Sequence, residues 1–285
     1  MVSAVPTRRQ KMKITVLGSG TCASDLTGIP DRFPPGFWVE WSDGRMLFDM
    51  GEGIRFRLAQ IGVKYPEVEY IAVTHAHADH YTLPHFLQSV FCHGIFGGIK
   101  AKEIHLFVPN QIAETWPALF KIYVPEAPAP DTHAYEDSYL WPELDFHKMS
   151  GGQTARIGSA ILRSESVYHG LGRCDAISFR LEADGKVFAY SGDTGDCEGI
   201  RKIARGADLF VSEASAPIGG FESSKRYGHL TPFEAGAIAK DGGVGKLVLT
   251  HYPGMNTDKE MAEDVKQSGF SGEVKVAKDF DVFEL

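Results

Sequence analysis

Four cysteines in 285 residues, Cys22, Cys92, Cys174 and Cys197, show no paired spacing. This excludes a disulfide-stapled scaffold and points to a reduced, cytoplasmic setting. Cys197 follows Asp193 closely, but as a structural thiol it needs no role in chemistry. No run approaches the roughly 20 apolar residues a membrane-spanning helix requires, so no membrane partner is expected. Met1 to Gln10 lack an apolar signal-peptide core and are expected to form a frayed, disordered segment. Positive charge is scarce as well. Lys and Arg number 29 against 37 Asp and Glu, a net charge of −8, and no basic stripe appears. Affinity for long nucleic acids rests on cations neutralising phosphates, so this balance argues against a large RNA partner. No internal repeat recurs, which excludes a solenoid.

What is present fits one domain over residues 11–285, since 43% hydrophobic content can bury a large core and no linker marks a boundary. Met12 to Leu17, Phe37 to Trp41, Arg45 to Phe48 and Glu69 to Thr74 alternate or run apolar as strands do. Helices are expected at Ile54 to Ile61 and Leu83 to Phe91. Later, Ala176 to Leu181 turns through Asp184-Gly185 into Lys186 to Tyr190, a hairpin. A short helix over 201–206 precedes a strand at Asp208 to Val211. Two sheets with helices outside would satisfy this order.

The densest chemistry lies in Thr74-His-Ala-His-Ala-Asp-His80, directly after an apolar run. At strand spacing His75 and His77 would point to one side and share an ion, while Asp79 and His80 offer oxygen and nitrogen to a second. A catalytic zinc takes about three protein ligands and keeps a position open, so two ions sharing a bridge need about seven donors. Three more candidates stand where later strands are expected to end: His169, Asp193 and His251.

The ordered series His75, His77, Asp79, His80, His169, Asp193, His251 resembles the metallo-β-lactamase superfamily, and more narrowly its ribonuclease Z-like branch. Val16 to Gly20, Leu47 to Gly53, Ser212-Glu213-Ala214-Ser215 and Gly228-His229-Leu230-Thr231 support it, and the similarity runs from residue 13 to the end. The resemblance implies an α/β (α+β) four-layer αβ/βα sandwich with two divalent metal ions. Zn2+ is the first choice, with Mn2+ and Fe2+ also served by such donors. It implies that His75, His77 and His169 hold one ion, that Asp79, His80 and His251 hold the other, and that Asp193 bridges. It further implies a role for His229 at the leaving group, backed by Glu213, with Asp79 also counted as catalytic. Two segments depart from the pattern: Leu230 replaces a serine, and Ser212 and Ser215 flank Glu213. A third departure is an omission. Bacterial ribonuclease Z enzymes carry a tRNA-gripping arm between the positions of His169 and Asp193, where this chain has room for one short hairpin.

Thr231-Pro-Phe-Glu234 reads as a capping box that starts a helix with Phe233, Ala237 and Ile238 as its apolar face, ending at Asp241-Gly242-Gly243. Unpaired amides at that helix start would lie beside His229 and suit an anion. Residues 91–98 and 124–147 read as substrate-facing loops or lids, with an ordered connection between the two halves of the sandwich as the alternative. Arg173, Lys225 and Arg226 could grip one phosphate, or serve as solvated surface.

Together these readings predict a hydrolase using a metal-bridging hydroxide on a phosphodiester, in a small molecule or a short chain. Hydrolysis of a carboxylic ester, lactone, thioester or sulfate ester stays open, as does a non-catalytic metal-holding accessory role in cofactor biosynthesis. A homodimer is also left open.

Overall fold

A computed structural model describes residues 11–24, 32–123, 141–220 and 222–285. Among them, strands group into two seven-stranded sheets. The first runs β14 (Val282–Glu284), β1 (Lys13–Gly18), β2 (Gly36–Trp41), β3 (Gly44–Phe48), β4 (Tyr70–Ala72), β5 (Ile104–Pro109), β6 (Leu144–Met149). The second runs β13 (Glu273–Val276), β12 (Lys246–Thr250), β11 (Leu209–Glu213), β10 (Lys186–Tyr190), β9 (Ile177–Ala183), β8 (Ala160–Ser166), β7 (Gln153–Ile157). From β14 to β3, and from β7 to β10, neighbours are antiparallel; beyond β3 and β10 they are parallel.

Period-two burial explains the layering. Phe37, Val39, Met46 and Phe48 of the first sheet meet Phe188, Tyr190, Leu209 and Val211 of the second in a central core. The alternate residues Trp38 and Leu47 face outward with Ile54 and Leu58 of α1 (Ile54–Gln60) and Phe86 and Val90 of α2 (Leu83–Gly97). Trp116 and Phe120 of α3 (Asn110–Tyr123) complete that outer cluster. On the far side Phe210, Leu247 and Leu249 pack against helices α4 (Glu198–Ala204), α6 (Pro232–Gly242) and α7 (Asp258–Gln267). Helix α5 (Glu222–Tyr227) lies between β11 and α6 in the chain. Helix, sheet, sheet, helix is the expected four-layer sandwich.

Several boundaries differ from the sequence reading. Strand β4 stops at Ala72, so His75 and His77 sit on a loop and their convergence owes nothing to strand alternation. Residues 91–97 continue α2, which a left-handed Gly98 ends, so this stretch is helix rather than a hinge loop. The short helix begins at Glu198, before the expected 201. Helix α6 starts as expected from a capping box, but its buried face is Ala235, Ile238 and Ala239, while Phe233 stays 43% exposed. Of the 124–147 stretch, residues 124–140 lie outside the described residues, as do 1–10, and Leu144–Met149 is strand β6.

Candidate metal centre

The loops that leave β4, β8, β10 and β12 bring seven nitrogen and oxygen donors together. His75 Nε2 lies 3.0 Å from His77 Nδ1, which lies 3.2 Å from His169 Nε2. Asp193 Oδ2 faces this trio, 3.9 Å from His75 and 3.7 Å from His169. Its other oxygen, Oδ1, turns to His80 Nε2 at 3.1 Å and His251 Nε2 at 3.4 Å, and His251 Nε2 is 3.3 Å from Asp79 Oδ2. One carboxylate thus fronts two donor sets.

These contacts fit cations better than they fit each other. His77 Nδ1 faces two imidazole nitrogens, at 3.0 and 3.2 Å, with at most one proton to share between them, in a space where five of the seven residues are at most 5% exposed. His80 Nε2, Asp193 Oδ1 and His251 Nδ1 are buried with no hydrogen-bond partner among the described residues. A buried orphan acceptor costs about 1–3 kcal/mol, and two such atoms pointing into one donor set are what a metal ion would satisfy. Mixed nitrogen and oxygen donors, about three per ion plus a bridge, suit zinc and its neighbours.

The supporting groups fix which nitrogen each ring presents. His80 Nδ1 is held by Asp49 Oδ2 at 2.7 Å, leaving Nε2 for an ion. Asp49 is fully buried and accepts from the Thr74 amide at 2.7 Å, the Thr74 hydroxyl at 2.8 Å and the Tyr190 hydroxyl at 2.7 Å. His169 Nδ1 donates to the Gly228 carbonyl at 3.0 Å, which again frees Nε2. Gly228 takes φ +85°, and a Cβ there would fall 2.3 Å from the Tyr168 carbonyl, so only glycine allows this approach. Asp49 and His251 both hold left-handed backbone, at φ +53° and +55°. Such positions cost about 1–3 kcal/mol and persist where their surroundings over-determine them.

His229 borders this cluster, its ring centre 5.0 Å from that of His169. Its Nδ1 meets Glu213 Oε1 at 2.9 Å and Ser215 Oγ at 2.8 Å. Burial disfavours the charged imidazole, yet the Glu213 carboxylate outweighs it and His229 is pushed up to about 9. Glu213 is fully buried; burial would raise its carboxyl, but His229 holds it below the usual range. The Thr194 and Ser215 amides and the Ser215 hydroxyl complete its partners at 2.9, 3.0 and 2.6 Å. Ser215, a departure in sequence, therefore joins Glu213 to His229, while Leu230 is wholly buried in the outer core.

One expectation about this corner fails. The first amides of α6 are taken: Thr231 N by Glu234, Phe233 N by Asp264 and Glu234 N by the Thr231 hydroxyl, and Pro232 has none. No anion can use them. Arg173, Lys225 and Arg226 are exposed and make no ion pair among the described residues. A cavity of about 610 Å³ lined by Cys22, Arg32, Phe33, Arg55, Thr82 and His85 adjoins the cluster, because the Cys22 amide donates to Asp79 Oδ2 at 3.3 Å. Sequence alone assigns no role to Asp49, Tyr190 or Arg55; Asp49 lies within a supporting stretch, and Ser215 stands out only as a departure from the family pattern. All four cysteines are free thiols.

His169 and Asp193 are joined by a 3-10 turn at Gly170–Gly172 and the β9–β10 hairpin alone. Comparison with known proteins fits this geometry. The family model of the beta-lactamase superfamily domain matches residues 45–252. Ribonuclease Z of Streptomyces avermitilis is 28% identical, spanning 86% of this chain and 89% of its own. The metallo-beta-lactamase fold protein YhfI from Bacillus subtilis superposes with a TM-score of 0.78 at 20% identity, covering 96% of this chain and 100% of its own. A diphosphatase from the PhnP family gives 0.68 at 18% identity, covering 96% and 97%.

Proposed function

The chain belongs to the beta-lactamase superfamily and is a metal-dependent hydrolase, and on that premise we propose that it is a dinuclear phosphodiesterase for small or short substrates. The observation that carries this reading is Asp193, whose two oxygens face two separate donor sets. His75, His77 and His169 would hold one ion and Asp79, His80 and His251 the other, with Asp193 shared and Zn2+ the favoured metal. When bound, such a pair lowers the pKa of water toward neutrality and offsets charge on phosphoryl oxygens.

The protein's own groups do the rest. Glu213 and Ser215 hold His229 by Nδ1, so Nε2 carries the proton that can pass to the departing oxygen. In the metal-free protein Glu213 pushes His229 up to about 9, which favours the charged form that can serve as an acid. Asp49 orients His80 and turns its Nε2 toward Asp193 and the donor set. Arg55 gives the adjoining cavity a cation where a phosphate-bearing ligand would lie. The cavity's size suits a small ligand, and the short β9–β10 hairpin and net charge of −8 support a substrate smaller than transfer RNA. The relationship to ribonuclease Z supports phosphodiester chemistry, and a diphosphatase from the PhnP family shares the fold.

The test is elemental analysis of purified protein with hydrolysis of bis-(p-nitrophenyl) phosphate, p-nitrophenyl acetate and a precursor transfer RNA. The expected result is at least two metal equivalents per chain, preference for the phosphodiester and loss of activity on chelation. Preference for the acetate, inactivity of the fully metallated protein, or full activity without metal would each overturn the reading.

A further inference from the structure

A second convergence of metal-ligating side chains lies on the first sheet, at its β6 edge. In the parallel pair β5–β6, His105 is in register with Asp145 and Phe107 with His147. Alternation then puts His105, Asp145 and His147 on one face, the face whose Phe107 enters the central core. His105 Nδ1 lies 3.2 Å from Asp145 Oδ2, His147 Nε2 lies 3.0 Å from the same oxygen, and the two nitrogens are 3.4 Å apart. Donors bound to one tetrahedral zinc at about 2.0–2.1 Å stand about 3.3 Å from each other, so this triangle has the edges of a coordination face. The trio of His75, His77 and His169 shows nearly the same edges, 3.0 and 3.2 Å.

Two further features make it a held site. Tyr70 stacks on His105 with ring centres 5.1 Å apart, and Phe107 stacks on His147 at 4.4 Å, so both rings are fixed before any ligand arrives. The three side chains are 27%, 46% and 37% exposed, which leaves a route in from solvent and room for water to complete a coordination sphere. Its place also separates it from the catalytic cluster. His105 and Asp145 are the second residues of β5 and β6, whereas the other donors follow the C-terminal ends of their strands.

We propose that His105, Asp145 and His147 form a mononuclear site for a borderline divalent transition metal such as Zn2+. Imidazole and carboxylate donors select this class over Mg2+ or Ca2+. The ion would pin β6 to β5, its only paired neighbour among the described residues.

The experiment is equilibrium dialysis of the metal-depleted full chain against Zn2+ for wild type, His147→Ala, Asp145→Asn and Asp193→Ala. Wild type is expected to take up one equivalent more than His147→Ala and Asp145→Asn, with their phosphodiester hydrolysis unchanged. Asp193→Ala should keep that extra equivalent, which separates this site from the catalytic one. Asp145→Asn preserves side-chain shape and decides the matter if His147→Ala folds poorly. Equal uptake by wild type and Asp145→Asn would overturn the proposal, because the triangle is then held by hydrogen bonds alone.

Discussion

The two sheets share a plan and deliver chemistry in opposite ways. Each runs three antiparallel pairings and then three parallel ones. The first sheet contributes four donors from one short loop after β4, oriented largely by its own half through Asp49 and Thr74. The second contributes His169, Asp193, Glu213, His229 and His251 from five separate places along the chain. These are braced against one another: the Gly195 amide on the Tyr168 carbonyl at 2.9 Å, Thr194 on Glu213, Gly228 on His169. A local motif can position ligands by itself, whereas the dispersed set exists only once the sheet has formed. Asp193 and Tyr190, whose hydroxyl reaches Asp49, join the halves.

Asp193→Ala cuts the chemical joint and should have the largest effect. Both donor sets lose an oxygen, so metal content should fall and phosphodiester hydrolysis drop about 10³-fold or more, beyond the ~10–100-fold typical of outer supports. Metal analysis beside initial rates checks this, and a fully metallated, active variant would dissolve the idea of a shared bridge. His229→Gln comes next, with a rate loss of about 10²–10⁴-fold at unchanged metal content. It also carries a pH signature in the metal-depleted protein. With its value raised to about 9, the charged His229 stabilises the fold fully below its ordinary 6.5, and that contribution is lost as pH rises through about 9. Thermal melts of wild type and His229→Gln should therefore differ near pH 6 and converge above pH 9.

The same contrast explains what was legible in sequence. Thr74 to His80 announces itself because four donors crowd into one loop, although the reason first given for their convergence, strand alternation, fails once β4 is found to end at Ala72. His169, Asp193 and His251 are legible through family resemblance and through their places at the ends of expected strands. Layering was readable because Trp38 and Leu47 alternate cleanly with Phe37, Val39 and Phe48. Asp49 and Tyr190 were not, because their partners lie 25 and 141 residues away, and Ser215, visible as a departure, gains its contact with His229 only in the fold. Helix α2 overran its expected end because apolar Ile95 and Phe96 suit a helix as well as a loop, and Gly98 alone supplies the stop.

Asp49→Asn tests whether the first half is as self-sufficient as its compactness suggests. The amide would keep its shape but lose the charge that fixes the His80 tautomer, so a fall of about 10–100-fold in metal affinity is expected, read by chelator competition. Tyr190→Phe removes only the hydroxyl that the second sheet lends to Asp49 and should cost less. A larger loss from Tyr190→Phe than from Asp49→Asn would mean that the first half depends on the second for its order.

The smallest effect comes from the two capping boxes, which are near copies in different settings. Thr231 accepts from the Glu234 amide at 3.2 Å and Thr257 from the Glu260 amide at 3.2 Å, each with the reciprocal carboxylate bond. Thr→Ala at either should cost about 1 kcal/mol of stability, measured by urea denaturation. Their consequences for catalysis should part. Thr257 is exposed at the start of α7, but Thr231 is buried two residues after His229, where α6 fixes the turn that aims the imidazole. Thr231→Ala should therefore lower the hydrolysis rate at unchanged metal content while Thr257→Ala leaves it alone. Equal rates in the two variants would show that Glu213 and Ser215 hold His229 without help from the helix.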